Sequence, residues 1–207
     1  SRVTETQLNN LVLIGALGSK NTIHWRGPGK ECPPTPQEGE VVIFVDHLAR
    51  GFKPPGSKFY RDMLADFQLH PQDTGPNSVT NMCHFQVLCE VFFQEEPTVE
   101  LFRDCFHLNC RTEFSDGSNT ELGGVAIQKR KEVTYPHAKL HSHPKEWNQT
   151  WFYCKDTSHA GENPLPGFRP ERLSNTHPFP QRLSAKERSK YAPQLSKLRA
   201  FMANGLT

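Results

Sequence analysis

The chain has 207 residues, and its 24 lysines and arginines nearly balance its 22 aspartates and glutamates, which leaves a formal net charge of +2. A chain of this length buries a hydrophobic core without disulfide staples, so it suits one domain or slightly more. The sequence has no run approaching the roughly 20 apolar residues of a membrane-spanning helix, and its apolar stretch 11–17 lacks the basic start and cleavage site of a signal peptide. We therefore expect no membrane partner. Because the chain begins at Ser1 without Met, we also expect it to be part of a longer protein.

Six cysteines are spread along the sequence, and four of them fall in predicted helices beside Phe, Val and Leu. Buried reduced thiols behave as small hydrophobes, and disulfides are rare in the cytosol and nucleus. This use of cysteine predicts a nuclear or cytoplasmic protein with free thiols. The six are Cys32, Cys83, Cys89, Cys105, Cys110 and Cys154.

The two halves of the chain differ in charge. Residues 1–110 hold 9 Lys and Arg against 13 Asp and Glu, whereas residues 111–207 hold 15 against 9. This asymmetry is compatible with a weak anion-binding face on the basic half. Attraction between the two halves, or ordinary solvation, explains it equally well, and we favour these simpler explanations.

In chain order, Thr4 and Gln7 form a capping-box pattern before a helix predicted to end near Leu17, with Gly18 as its stop. Residues 19–38 are predicted to be a loop because Pro and Gly interrupt them. The apolar run 41–45 fits either a short strand or the buried start of a helix. Three helices follow, over about 57–68, about 78–93 and a third that includes Val99, Leu101, Phe102, Phe106 and Leu108. The second is apolar around most of its circumference, which predicts a central, buried helix.

After Leu108 the long helical patterns give way to short strand patterns and Pro- and Gly-rich segments. Short strands are predicted over 123–129 and 150–155, an extended Pro- and Gly-rich arm over 156–180, and a last helix over 185–204. The predicted fold class is α+β, with a predominantly α-helical core of about five helices, a small two- or three-stranded sheet and long Pro/Gly-rich loops. We expect a single domain, 1–207, with a helical core at 39–110, a basic, loop-rich region at 111–180 and a C-terminal helix at 185–204.

Two patterns suggest catalysis or metal binding, and neither is well supported. Asp73-Thr74-Gly75 is the signature triplet of aspartic proteases, but its flanks are polar, which favours a turn before a helix. Cys105, His107 and Cys110 are weak candidates for zinc ligands, since the sequence has no Cys-x-x-Cys and its other histidines are typical of loops. The sequence therefore predicts neither a catalytic residue nor a cofactor.

A basic stretch with aromatic neighbours suggests nucleic-acid binding. Lysines and arginines would contact phosphates while tryptophans stack on bases of a single strand of DNA or RNA. The simpler alternative is that Trp151 and Tyr153 pack on the core while the lysines solvate an edge strand. The candidate binding residues are Lys129, Arg130, Lys131, Lys139, Lys145, Trp147, Trp151 and Lys155.

Much of the predicted helical core resembles the plant gypsy-type transposon domain, which occurs in retroelement-derived plant proteins often described as transposase or gag-like. The resemblance is specific from Gly39 to Pro97 and extends more loosely through the Lys145–Lys155 segment to the end of the chain. The segments that carry it are 39–45, 50–55, 59–64, 69–71, 76–79, 85–92 and 96–97. It implies no catalytic residues that can be carried over to this sequence. The metal-dependent strand-transfer site that the word transposase suggests is not found.

The function that we expect is a non-catalytic interaction or assembly module of a retrotransposon-derived plant protein, gag-like in role, which binds a protein partner or itself. The alternative is a nucleic-acid-binding module that uses the basic aromatic face at 129–155. A remnant enzyme, either an aspartic protease or a transposase, is the third and weakest hypothesis.

Overall fold

The computed structural model describes residues 1–110, 125–136, 140, 146–171, 173–174 and 176–204. Lys139 and Lys145, two of the candidate binding residues, lie outside these ranges. The helices and strands of the described residues are, in chain order, α1 (Glu5–Leu13), β1 (Trp25–Arg26), β2 (Glu40–Phe44), α2 (Val45–Leu48), α3 (Lys58–Asp66), α4 (Pro76–Val87), α5 (Val99–Cys105), β3 (Phe106–Cys110), β4 (Val125–Lys129), β5 (Trp151–Lys155), α6 (Ala185–Lys190) and α7 (Ala192–Asn204). Short 3₁₀ turns cover Pro71–Asp73 and Trp147–Gln149, and a π-helix, Leu88–Phe93, continues α4.

A three-stranded antiparallel sheet has the order β1-β5-β2, with β5 in the centre. Both of its faces are covered, so every residue of β2 is buried, and residues 41–44 form a continuous apolar run rather than an alternating one. Val41 and Ile43 belong to the main core, whereas Val42 and Phe44 point into a second, smaller cluster on the opposite face. This smaller cluster also contains Trp147, Trp151 and Tyr153.

The second sheet is the antiparallel pair β3–β4, which packs against α4. Ser78 of α4 donates a hydrogen bond from Oγ to the Val125 carbonyl oxygen and accepts one from the Ile127 amide. Asn81, one turn later, donates to the Ile127 carbonyl oxygen. These polar side chains of α4 therefore fix the second sheet on the helix, and they explain why the helix is not apolar throughout.

Aromatic rings hold the helical part together. Phe85 of α4 packs edge-on against Phe102 of α5, with ring centroids 5.2 Å apart, and Phe102 stacks on Phe106 at 4.5 Å. Phe59 of α3 contacts both Phe85 and Phe102. Such offset and edge-to-face pairs stabilise a core beyond the burial of their area.

The predicted fold class is wrong in its balance of helix and strand. Five strands in two sheets, rather than one small sheet, accompany seven helices in the described residues, so the fold is α+β with only a modest excess of helix. Two of the unpredicted strands pair with partners that are distant in sequence: β1 with β5, and β3 with β4. Long-range pairing of this kind leaves little local signal.

The predicted third helix shows the error most clearly. It ends at Cys105, and Phe106 and Leu108 are the inward residues of strand β3, separated by the outward His107. Their spacing fits either a helical face or a strand, and the hydrogen-bonding partner β4 decides for the strand.

Other predicted elements differ at their ends. The capping box of Thr4 and Gln7 is confirmed, but α1 ends at Leu13 because the chain turns at Gly15, whose φ is +71°. The run 41–45 is mainly a strand, and the loop predicted over 19–38 contains β1. The last helix is divided into α6 and α7 at Tyr191. No helix within the described ranges is long and apolar enough to cross a membrane.

Candidate functional site

An exposed apolar ridge runs along the outer side of α4 and its π-helical continuation. Val87, Val91 and Phe92 expose 49%, 63% and 50% of their surface, although the sequence predicts a helix buried on most sides. Phe201 of α7 lies beside them, with its ring centroid 5.6 Å from that of Phe92. We call these four residues the apolar ridge.

The π-helix explains how the ridge arises. Val87 is the last residue of α4, whereas Val91 and Phe92 belong to the π-helix, Leu88–Phe93. The wider turn of the π-helix places Phe93 in the core, against Phe201 at 5.0 Å, and leaves its neighbour Phe92 outside. Gln94 then ends the π-helix in the left-handed conformation, with φ of +55°. In a uniform α-helix Phe92, seven residues after the buried Phe85, would lie on the same face and would be expected in the core.

A groove of about 210 Å³ adjoins the ridge, and Val87 belongs to both. Its floor is apolar, from Phe52, Tyr60 and Met82, while Gln86 and Lys53 lie at its edge. The remaining lining residues are Gly51, Ser57, Phe59 and Cys83. At Gly51, φ is +96° and a Cβ atom would approach the Cβ of Cys83 to 3.2 Å, so a larger residue there would be strained and would narrow the groove.

Both signs of charge surround the ridge and the groove. Lys197 pairs with Glu95 at 2.6 Å, and Lys58 lies 3.5 Å from Glu96. Glu90, between the ridge valines, accepts a hydrogen bond from Gln86. An apolar surface with such a rim has the general anatomy of a protein–protein interface.

Asp73 of the protease-like triplet has a structural role. Both of its carboxylate oxygens accept hydrogen bonds from Arg169, at 2.8 and 2.9 Å, and one also accepts from the His70 amide. Thr74 and Gly75 lead directly into α4, where Gly75 is the N-cap. The triplet is therefore a helix-initiating turn, as its polar flanks predict.

His47 is the most deeply buried candidate base among the described residues. Its Nε2 donates to the Thr74 carbonyl oxygen at 3.0 Å, and its ring stacks on Trp147 at 5.3 Å. Burial lowers the pKa of His47 to about 3, although the bond to Thr74 opposes this shift. With 1% of its surface exposed, His47 is enclosed, and its ring packs against Phe44 and Trp147 of the second core cluster.

The candidate nucleic-acid residues fall on two different sheets. Lys129, Arg130 and Lys131 lie at and beyond the end of β4, whereas Lys155 is exposed at the end of β5. Trp147 and Trp151 are 4% and 3% exposed and pack in the second core cluster. The tryptophan rings thus offer no face for base stacking, in agreement with the simpler alternative for Trp151 and Tyr153.

The candidate zinc ligands are similarly dispersed. Cys105 is buried at the end of α5, and His107 and Cys110 are half-exposed on β3. No group of three or more His, Cys, Asp or Glu side chains in the described part of the chain is arranged to hold a metal ion.

A second groove, of about 410 Å³, lies beside the basic run and was not predicted from the sequence. It is lined by His107 of β3, by Arg130 and Lys131, and by Phe179 and Gln181 of the arm. We call it the basic groove. Its other lining residues are Leu108, Asn109, Glu132 and Pro180. The arm returns to the second sheet to form it, and nothing in the local sequence around Phe179 indicates that return.

An arginine cluster lies next to the basic groove. Asp104, 5% exposed at its side chain, accepts hydrogen bonds from Arg182 and Arg188 and lies 3.5 Å from Arg199. Arg103 donates to the Gln181 carbonyl oxygen at 2.8 Å, which ties the arm to α5. One buried carboxylate thus organises three arginines from the C-terminal region.

A family model described as "Putative gypsy type transposon" matches residues 41–110, about one third of the chain. The matched segment runs from β2 to the end of β3 and contains three of the four ridge residues, whereas Phe201 and most of the basic groove lie outside it. The resemblance expected for the helical core is thus supported over this segment. No curated protein and no solved structure matches the chain.

Proposed function

We propose that the chain is a non-catalytic assembly module of a transposon-derived protein, and that it self-associates through the apolar ridge. The observation that carries the proposal is the exposure of Val87, Val91 and Phe92 on one side of a helix whose other side is core. Contiguous exposed apolar residues mark interaction surfaces in soluble proteins. The three lie within the segment that is similar to the transposon family.

The occupant that fits best is a second copy of the chain. The ridge is convex and the 210 Å³ groove beside it is concave, and Val87 joins the two. A two-fold axis near Val87 would place the ridge of each copy in the groove of the other, which is the self-complementary arrangement of an isologous dimer. The rim supports this arrangement, since Lys58 lies near Glu96 and Lys197 pairs with Glu95, and these charges can exchange partners across such an axis.

The structural contacts of the candidate acid and base support the non-catalytic part of the proposal. Asp73 is neutralised by Arg169, and His47 is enclosed by Phe44 and Trp147. To act as an acid or a base, Asp73 would have to leave Arg169, and the His47 ring would have to leave its contacts with Phe44 and Trp147. A gag-like role and a plant origin remain predictions from the sequence resemblance.

Sedimentation velocity over a range of protein concentrations tests the proposal. The wild-type chain should show a monomer–dimer equilibrium, and Val91→Lys should shift it to monomer by placing a charge in the apolar contact. Leu13→Lys is the matched control, because Leu13 is an apolar helical residue that is 82% exposed and lies at the end of α1. This control should dimerise like the wild type.

Phe92→Ser provides a second ridge variant if Val91→Lys does not fold, and circular dichroism establishes folding for each. A wild-type chain that stays monomeric at its highest soluble concentration would overturn self-association. Equal loss of dimer in Leu13→Lys and Val91→Lys would show that the ridge is not the interface.

A further inference from the structure

We propose that the basic groove binds a single-stranded nucleic acid, with phosphates on Arg130 and Lys131 and one base stacked on Phe179. This site shares only part of the basic run with the face predicted from the sequence, and it replaces the buried tryptophans by an arm residue. It is independent of self-association through the apolar ridge.

Backbone contacts hold Arg130 at the mouth of the groove. Its amide donates to the Cys105 carbonyl oxygen at 2.9 Å and its Nε donates to the Arg103 carbonyl oxygen at 3.0 Å. Among the described residues, no carboxylate lies within ion-pair distance of the Arg130 guanidinium. Its terminal Nη groups are therefore available to a ligand, in a fork geometry that suits phosphate oxygens.

The neighbourhood of Arg130 has an excess of positive charge. Burial lowers the pKa of its guanidinium, and repulsion from Arg182 and Arg188 adds to the effect, whereas Glu132 and Asp104 oppose it. Seven cationic side chains and three carboxylates either form ion pairs around this site or lie next to Arg130 in the sequence. They are Arg103, Lys129, Arg130, Lys131, Arg182, Arg188 and Arg199 against Asp104, Glu132 and Glu187. Such an unneutralised concentration of charge attracts polyanions over a distance.

Phe179 provides the feature that distinguishes a nucleic acid from other anions. It is half-buried, lines the groove, and is supported edge-on by His177 with ring centroids 5.0 Å apart. His177 is itself held by a hydrogen bond from Nε2 to the Phe67 carbonyl oxygen at 2.8 Å. An aromatic ring fixed beside two cations is the pairing by which single-stranded nucleic acids are bound without sequence preference.

The remaining lining residues suit the same ligand. The groove is within the size range of small-molecule sites, which accommodates a nucleotide. Burial and the nearby Arg130 lower the pKa of His107, whereas Glu132 opposes them. The lowered pKa favours the neutral ring, which offers both a donor and an acceptor to a base edge. An acidic peptide would use the cations but would leave Phe179 without a planar partner.

Fluorescence anisotropy with a labelled oligothymidylate tests this site. Lys131→Gln should weaken binding several-fold and reduce the dependence of affinity on salt by about one phosphate contact. Phe179→Leu should weaken binding about tenfold with little change in salt dependence, because it removes stacking and no charge. Lys155→Gln is the matched control, since Lys155 is an exposed lysine at the end of a strand of the other sheet, and its affinity should equal that of the wild type.

The comparison ligand is poly-glutamate at the same ionic strength. Tighter binding of the oligothymidylate, with the loss confined to the Lys131 and Phe179 variants, supports the proposal. Poly-glutamate binding of equal affinity, or unchanged binding in Phe179→Leu, overturns it. The ridge variant Val91→Lys should bind the oligothymidylate as the wild type does, so failure of the dimer and failure of this site are distinguishable.

Discussion

The buried imidazole of His47 makes the stability of the protein depend on pH. Burial favours its neutral form, with the pKa lowered from 6.5 to about 3. Below about pH 6.5 the unfolded chain therefore binds a proton that the folded protein does not bind. The free energy of unfolding should fall as the pH decreases, by up to about 1.4 kcal/mol for each pH unit from this residue.

His47→Gln should reduce this slope, because glutamine does not titrate in this range and keeps an N–H donor for the Thr74 carbonyl. Urea denaturation at several values between pH 4 and pH 8 measures the slope for each protein. His84→Gln, at an exposed position of α4, is the matched control and should leave the slope unchanged. If the free energy of unfolding changed with pH equally in His47→Gln and the wild type, His47 would not be the source of the pH dependence.

At the scale of single elements, the end of the π-helix carries a conformational cost. Gln94 has φ of +55° and ψ of +40°, a left-handed conformation that glycine adopts without strain and that commonly ends helices. Gln94→Gly should therefore stabilise the fold, by about 0.5–1 kcal/mol, as the strain of the left-handed residue is removed. Thermal denaturation should show a higher Tm.

Gln86→Gly is the control for this prediction. Gln86 lies in the regular part of α4, where glycine should lower the stability by about 1 kcal/mol. A lower Tm for Gln94→Gly as well would mean that the side chain of Gln94 contributes more than its backbone conformation costs.

The elements that the sequence predicts correctly are those with local signals. The cap at Thr4 is recognisable because its side chain accepts a hydrogen bond from the backbone amide of Gln7, three residues ahead. Strand β3 is not recognisable in this way, since its identity depends on pairing with β4 across residues 111–124. The apolar ridge depends on a π turn that shifts the helix face by one residue.

The two proposed sites differ in how far their residues can be predicted from the sequence. The ridge residues Val87, Val91 and Phe92 are visible in the sequence, but their apolar character alone predicts a core position. The basic groove needs Phe179, which is separated from Arg130 by 49 positions and reaches it only through the path of the arm. The cations could therefore be predicted from sequence and their aromatic partner could not.

At the scale of the whole molecule, the burial of the thiols divides the six cysteines into reactive and protected groups. Burial raises the pKa of Cys83 to about 11 and those of Cys89, Cys105 and Cys154 to about 12. The thiolate is the reacting form, so these four should resist alkylation in the folded protein. Cys32 is exposed and should react first. Cys110 is half-exposed, as Cys83 is, and burial raises its pKa as well, so Cys110 should react more slowly than Cys32.

Iodoacetamide labelling at neutral pH, followed by peptide mass spectrometry, measures the rate at each cysteine. The protected thiols should react at rates comparable to that of Cys32 only after denaturation. Fast labelling of Cys105 in the native protein would indicate that the packing of α5 against α7 opens readily.

A buried arginine attaches the first part of the arm beyond β5 to the helical core. Arg61 of α3 has a side chain that is 1% exposed, pairs with Asp156 at 2.7 Å, and donates to the carbonyl oxygens of Pro55, Gly56 and Asn163. Arg61→Met would leave these acceptors and a mostly buried carboxylate without their donor. Breaking a buried ion pair from one side costs about 3–5 kcal/mol.

The position of Arg61 predicts which part of the chain Arg61→Met should destabilise most. Hydrogen exchange should increase most over residues 156–165, where the Leu165 amide donates to Asp156, rather than over β5, whose ladder with β2 does not involve Arg61. The double variant Arg61→Met/Asp156→Asn should recover part of the stability, because the stranded charge is removed. If exchange instead rises uniformly, Arg61 supports the core as a whole and the arm is held by its other contacts.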